Sequence, residues 1–323
     1  MKKLFQSSGD LLADRRADYA EMLASSDDHA AAADLMRDAL TLVPAWSAGW
    51  FRMGEMLHAA GRVAEAADAW REALRLDPSD RLGAALQLEL AGTISVAGVP
   101  SSAFAETLFD QYAATFDASL VGRLLYRAPQ MMSEAIARTG ITTFAHAVDL
   151  GCGTGLMGER LRGIASYLEG SDISSGMLAK ARDKGVYDRL EQRDLLTLEA
   201  SPTKVDLVTA ADVFIYLGRL ERIIATVSDM LAAGGVFAFT VERHDGPEPL
   251  ILRESRRYAH SERYIRDLLA ANGFETAEIG TAQLRCDRNA AVEGLIVVAR
   301  RAGANATVTP PIVSDDIATV ALH

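Results

Sequence analysis

Ten residues, DLGCGTGLMG at 149–158, place four glycines directly behind the apolar run FAHAV. A strand that ends in a glycine-rich turn and re-enters as a helix is the junction at which open parallel sheets hold nucleotide-like ligands, since only glycine lets a ligand approach the backbone where a Cβ would otherwise stand. Two registers fit. From Gly153 the loop reads G-x-G-x-x-G, the dinucleotide pattern; from Asp149 it reads D-x-G-x-G-x-G. Both expect an acid about 20 residues on for the ribose hydroxyls, and Asp172 stands there.

The flanking sequence supports the sheet. After a helical stretch from about 104 to 137, short apolar strands alternate with helices: FAHAVDL, SYLEGSD, DRLEQRD, KVDLVTA and VFAFTVE are strands, and LMGERLRGI, GMLAKARDK and the stretch 220–231 are helices. Such alternation predicts an α/β fold with a doubly wound, mostly parallel Rossmann-like sheet and helices on both faces. A further helix, SERYIRDLLAANG, and two late strands, ETAEIG and GLIVVAR, predict an antiparallel C-terminal hairpin at a sheet edge. RRYAHSERYIR at 256–266 reads as the solvated face of a helix.

The first 80 residues follow another grammar. At an offset of 34, Met22-Leu23 aligns with Met56-Leu57, Ala32-Ala33-Asp34 with Ala66-Ala67-Asp68, Arg37 with Arg71, Ala39-Leu40 with Ala73-Leu74, and Pro44 with Pro78. Residues 48–78 resemble a tetratricopeptide repeat, with Trp50, Gly54, Ala66 and Pro78 at its marker positions. Two repeats and one more helix near 80–90 fall short of the three units such arrays usually need, so the array is expected to rest on the second domain or on another subunit. The boundaries expected are an all-α repeat domain at 1–93, a Gly/Ser/Pro-rich linker at 94–103, the α/β domain at 104–301 and a flexible tail at 302–323.

Charge excludes one class of partner. Lys and Arg number 10 against 15 Asp and Glu in residues 1–100, and 23 against 29 beyond, for a net −11. Both halves repel phosphate backbones, so no nucleic-acid partner is expected. No apolar run approaches the roughly 20 residues of a membrane span, and the start turns polar too soon for a signal peptide. Two cysteines, Cys152 and Cys286, without ligand-like neighbours predict a cytoplasmic chain with no disulfide framework and no metal.

The glycine loop's two registers part at Asp149. A pyrophosphate favours a helix N-terminus free of carboxylates, whereas S-adenosylmethionine, a sulfonium and ammonium without phosphate, is attracted by one. Downstream, Asp194 follows the third strand, and Ala210, Ala211 and Asp212 end the fourth at the same crevice. Together these motifs resemble class I S-adenosylmethionine-dependent methyltransferases over about residues 109–300. The lead-in LFDQYAATFDASLVGRLLYRAP at 108–129 is similar to bacterial methyltransferases with N-terminal tetratricopeptide repeats. The resemblance implies S-adenosyl-L-methionine as cofactor. It places Gly151, Gly153 and Gly155 at the methionine part, Asp172, Ile173 and Met177 at ribose and adenine, and Asp194-Leu195 at the adenine edge. In related enzymes an aromatic of the lead-in segment covers the cofactor, which nominates Tyr112, Phe116 and Tyr126, although Tyr112 and Phe116 also suit the core face of a helix.

Methyl transfer is an in-line displacement at an activated carbon, so proximity and alignment are the main requirements, and a base helps where the acceptor must lose a proton. Tyr216, His244 and His260 are the candidate catalytic residues, with Glu242 and Tyr258 as further strand-end candidates. Arg253, Arg256 and Arg257 are candidates for an acidic acceptor. By resemblance, the missing Asn/Asp-Pro-Pro-Tyr/Phe motif argues against methylation of DNA bases. The leading expectation is O- or N-methylation of a small molecule, with the repeats as a structural or dimerising module. The alternatives are a protein methyltransferase that recruits its substrate through the repeats, a non-catalytic S-adenosylmethionine-binding protein, and a nicotinamide dehydrogenase.

Overall fold

A computed structural model describes residues 7–93, 101–117, 126–287 and 290–303. The repeat region is a run of antiparallel helices: α1 (Leu11–Ser25), α2 (His29–Leu42), α3 (Ser47–Ala59), α4 (Val63–Leu76) and a short α5 (Ala84–Leu90). The 34-residue offset is visible as repeated packing. Ala32, Ala33 and Ala39 are buried, as are their counterparts Ala66, Ala67 and Ala73. Asp34–Arg37 and Asp68–Arg71 form the same exposed pair one turn apart, at 2.9 and 2.7 Å. Small residues bring the helices together: a Cβ on Gly54 would stand 2.3 Å from Trp70 Nε1, and that indole N–H donates to the Phe51 carbonyl at 3.3 Å. The helix that follows the two hairpins leans on the second domain, where Leu86 of α5 packs with Phe104 and Tyr258.

The second domain begins with α6 (Ser102–Tyr112) and α7 (Ala128–Arg138) and then alternates: β1 (Phe144–Leu150), α8 (Leu156–Leu161), β2 (Ala165–Asp172), α9 (Ser175–Lys184), β3 (Arg189–Gln192), β4 (Val205–Ala210), α10 (Glu221–Met230), β5 (Leu231–Arg243), β6 (Leu250–Leu252), β7 (Tyr258–His260), α11 (Glu262–Ala271), β8 (Phe274–Asp287) and β9 (Ala290–Arg301). The sheet order is β3-β2-β1-β4-β5-β7-β6, with β9 paired antiparallel to β5 and β8 antiparallel to β9. β1 to β5 run parallel. Because β1 lies between β2 and β4, successive crossovers leave it in opposite directions, and the crevice at that reversal is where such sheets take ligands. Alternate residues of β5 feed opposite layers: Phe237 and Phe239 join Phe214 and Phe274 in one core, while Val236 and Ala238 join Met132 and Leu161 in the other.

Two expectations change. Residues 256–260 are not the face of a helix: Tyr258–His260 is a buried strand that pairs with β6 and with the end of β5, and the helix begins only at Glu262. Three-residue strands are too short for alternation to register. The helical stretch expected over 104–137 is interrupted by a turn at 113–115 after α6, and residues 118–125 lie outside the described ones, as do residues 94–100 of the expected linker and the tail from 304.

Candidate active site

The loop after β1 turns through three left-handed residues: Gly151, Gly153 and Gly155 have φ of +62, +54 and +91°. Their duties differ. A Cβ on Gly151 would stand 2.3 Å from Val213 Cγ2, and Gly155 packs under Tyr187 as the N-cap of α8. Gly153 alone has nothing within 4 Å of where its Cβ would be. It borders a cavity of about 750 Å³ that Gly151, Cys152, Asp172, Met177, Ala211, Asp212 and Tyr216 also line, so its missing side chain is open ligand space. A smaller pocket shares Gly151, Asp172 and Tyr216 and continues along Ile173, Asp194 and Leu195.

Asp172 links the two spaces. It ends β2, and its carboxylate accepts from the Gly153 N–H at 2.8 Å and the Ser174 N–H at 2.9 Å. Burial pushes its pKa up to about 6 despite these donors. Asp194 accepts from Leu196 N–H at 2.8 Å and from the Ser102 hydroxyl of α6 at 2.6 Å. That helix makes further polar contacts with the strand ends: Asp110 accepts from Ser174 Oγ and Gly176 N–H, and Glu106 from Gln192 Nε2 at 3.1 Å. Tyr112, Phe116 and Tyr126 all line the larger cavity, together with Phe109, whose ring meets Tyr216 edge-on at 5.0 Å.

Five sequence expectations need correction. Asp149 does not face the cavity: it is 1% exposed, and its two oxygens accept from Tyr187 Oη and Thr209 Oγ1, each at 2.7 Å, while burial lifts its pKa to about 6. It holds β1 to its neighbours instead of meeting a ligand's charge directly. Ala210 is likewise inside the sheet core, and Gly155 is a helix cap rather than a wall. His244 is buried outside the cavity, its Nε2 donating to the Glu248 carbonyl at 2.6 Å and its Nδ1 accepting from Gly246 N–H at 3.0 Å. His260 donates from Nε2 to the Gly218 carbonyl at 2.7 Å and stacks on Tyr264; burial drops its pKa to about 4. Neither histidine is placed to move a substrate proton. Cys152 borders the cavity, but burial pushes its thiol up, away from a reactive thiolate.

Tyr216 lines both pockets. Its hydroxyl accepts from Arg257 Nε at 3.3 Å, and Arg257 also pairs with Asp287 at 2.9 Å. Below it lies a group that sequence reasoning missed: Arg285 of β8, 1% exposed, bonds both oxygens of Asp212 at 2.6 Å and also Glu242. Asp212 itself is left-handed, φ +57°, and Arg285 Nη1, donating to both of its carboxylate oxygens, fixes it at the end of β4. Nothing local in the sequence joins residues 212, 242 and 285; only the antiparallel pairing of β8 and β9 onto β5 does.

Residues 148–237 match the methyltransferase-domain family, and residues 47–80 match the tetratricopeptide repeat. The chain carries a methyltransferase domain. Among curated relatives, the trans-aconitate 2-methyltransferase of Methylobacterium nodulans is 34% identical over 148 residues, 45% of this chain and 55% of that one. The malonyl-[acyl-carrier protein] O-methyltransferase of Enterobacter lignolyticus is 28% identical over 146 residues, 45% and 57% of the two chains. The chain thus spans little more than half the length of these relatives. Among solved structures, the complex between a Haloferax volcanii methyltransferase activator and a methyltransferase matches 60% of this chain and 97% of the other at 21% identity, with a TM-score of 0.50. The methyltransferase domain here therefore has a Rossmann-like sheet with an antiparallel C-terminal pair, behind a tetratricopeptide region.

Proposed function

We propose that this chain transfers a methyl group from S-adenosylmethionine to a small-molecule acceptor. One observation carries the reading: Gly153, whose absent side chain leaves open space, and Asp172, a buried carboxylate, border the same cavity as Tyr216. The residues suit the cofactor. The backbone at Gly151 and Gly153 would take the methionine part, Asp172 the ribose hydroxyls, Ile173, Met177 and Leu195 the adenine faces, and Asp194 the adenine edge. The bound cofactor supplies a methyl group already activated by its sulfonium.

The chain's own task is alignment and exclusion of water. Tyr112, Phe116 and Tyr126 wall the cavity with rings. Tyr216, oriented by Arg257, is the polar group that the cofactor and acceptor spaces share, and it would accept a hydrogen bond from the acceptor's nucleophile. Two curated relatives are named for acceptors bearing carboxyl groups, trans-aconitate and a malonyl thioester, and those chemistries head the list to be tried. The test is to incubate the full chain with S-adenosylmethionine carrying a labelled methyl group and carboxylate, phenol and amine acceptors. Label in the product, with one S-adenosylhomocysteine released per methyl, is the expected result; failure of the chain to bind S-adenosylhomocysteine overturns the reading.

A further inference from the structure

The larger cavity is not confined to the methyltransferase domain. Ala48, Phe51, Arg52 and Glu55, all on α3, line it, and Leu82 extends that wall. Opposite them stand Phe104 and Leu108 of α6 and the turn at 254–257. This turn is built, not incidental: Arg253 N–H donates to the Arg257 carbonyl at 2.9 Å, Arg256 N–H donates to the Arg253 carbonyl at 2.8 Å, and Arg256 is left-handed with φ +60°. Non-glycine residues hold that conformation where the surroundings over-determine it. Here the Arg256 guanidinium lies 5.8 Å from the centre of the Phe104 ring and 3.8 Å from Glu55. Glu55 in turn pairs with Arg52, whose Nε donates to Glu21 of α1 at 2.6 Å. A chain of charges thus runs from the first repeat through α3 to the methyltransferase turn. A hydroxyl contact reinforces it, Tyr258 Oη donating to Glu89 of α5 at 3.0 Å.

We propose that the second tetratricopeptide hairpin is the outer wall of the acceptor chamber and selects the acceptor, an amphipathic small molecule with an apolar body and an acidic group. The apolar body lies between Phe51 and the Phe104–Leu108 face. The acidic group points to Arg256 and Arg257. Of the arginines lining the cavity, Arg285 bonds Asp212 and Glu242 through its two Nη atoms, Arg52 pairs with Glu21 and Glu55, and Arg257 pairs with Asp287 at 2.9 Å, whereas the nearest carboxylate recorded for Arg256 is Glu55 at 3.8 Å. The repeat is on this account a piece of the active site, not a surface for recruiting polypeptides. The inference rests on the proposed methyl transfer, whose cofactor occupies the Gly153–Asp172 end.

The probe is anilinonaphthalene sulfonate, an aromatic acid whose fluorescence rises in apolar surroundings, titrated into the full chain saturated with S-adenosylhomocysteine. Saturable binding at one site is expected. Phe51→Ala and Arg256→Gln should each weaken the probe by about tenfold while changing S-adenosylhomocysteine affinity less than twofold. Phe51→Leu, which keeps an apolar side chain in the repeat core, covers the case in which the alanine variant does not fold; its effect should lie between. Probe affinity that ignores Phe51→Leu and Arg256→Gln overturns the proposal, as does absence of probe binding to the unmodified chain. Loss of S-adenosylhomocysteine binding by the unmodified chain strikes instead at the methyl-transfer reading.

Discussion

Replacing Asp172 with asparagine separates what the buried carboxylate does for a ligand from what it does to the fold. The side chain accepts two backbone N–H groups and is only 8% exposed, yet burial raises its pKa from 3.8 to about 6. A shift of about two units corresponds to roughly 3 kcal/mol against the ionised form in the folded state. The sign follows from proton counts. Between about pH 4 and 6 the folded chain holds a proton that the unfolded chain has lost, so stability falls as pH rises through that window and is flat above it. Asp149 behaves alike, with its pKa also raised to about 6. Asp80, Glu89 and Glu242 are raised in the same sense, whereas His260, dropped to about 4, contributes a slope of opposite sign, so Asp172→Asn should remove this carboxyl's own falling contribution, read as the difference between variant and parent slopes of thermal stability against pH. Near pH 7, relief of the charge burial offsets the hydrogen bond lost to one N–H, leaving stability within about 1–2 kcal/mol of the parent. Ligand binding responds differently. Loss of charge-assisted bonds to two ribose hydroxyls costs about 2–3 kcal/mol, roughly 30- to 150-fold in Kd for S-adenosylhomocysteine. Calorimetric titration from pH 5 to 8 should show affinity of the parent chain falling below about pH 6 and affinity of the variant nearly flat. An Asp172→Asn variant that binds within twofold of the parent, or that keeps the parent's full slope of stability against pH, refutes the reasoning.

The glycine loop gives a paired prediction. Gly151→Ala forces a Cβ into Val213 at 2.3 Å in a left-handed turn, and should cost about 3 kcal/mol in denaturant unfolding. Gly153→Ala meets no atom, so it should cost only about 1 kcal/mol of strain but abolish measurable S-adenosylhomocysteine binding by filling the ligand space. In the repeats, Gly54→Ala should lower stability by about 1–3 kcal/mol, because the methyl would meet the Trp70 ring, which is buried on all sides; thermal unfolding followed by indole fluorescence reads it. His244→Gln and His260→Gln should lower the melting temperature but leave the pH profile of kcat unchanged for any acceptor that turns over, and a profile shifted by either would restore a histidine to the chemistry.

Periodicity and local turn chemistry carried the strand–helix alternation and the repeats. These depend on neighbours in sequence, and a single sequence reports such neighbours well. The pairing of Gly153 with Asp172 at the cavity was legible for the same reason, since the two obey a spacing set by one strand–turn–helix unit. Asp149 was misjudged because its position before the loop says nothing of which way its side chain points; Thr209 and Tyr187, 60 and 38 residues away, decide that. His244 and His260 suffered similarly, since strand ends nominate many residues and only packing shows which face the crevice. Arg285, Asp212 and Glu242 meet through sheet pairing alone, and no local pattern announces an ion pair across 73 residues.

Helix α6 has a consequence beyond its place in the wall. Its first turn lies between the smaller pocket, through Ser102 and Ala105, and the repeats, where Gly83 sits against the Phe104 ring and Ser101 reaches the Ser79 carbonyl. Its far end caps α9 through Asp110. This one helix thus bears on the smaller pocket, the larger cavity and the repeat helices at once. Anything that fills either space packs against the same eleven residues.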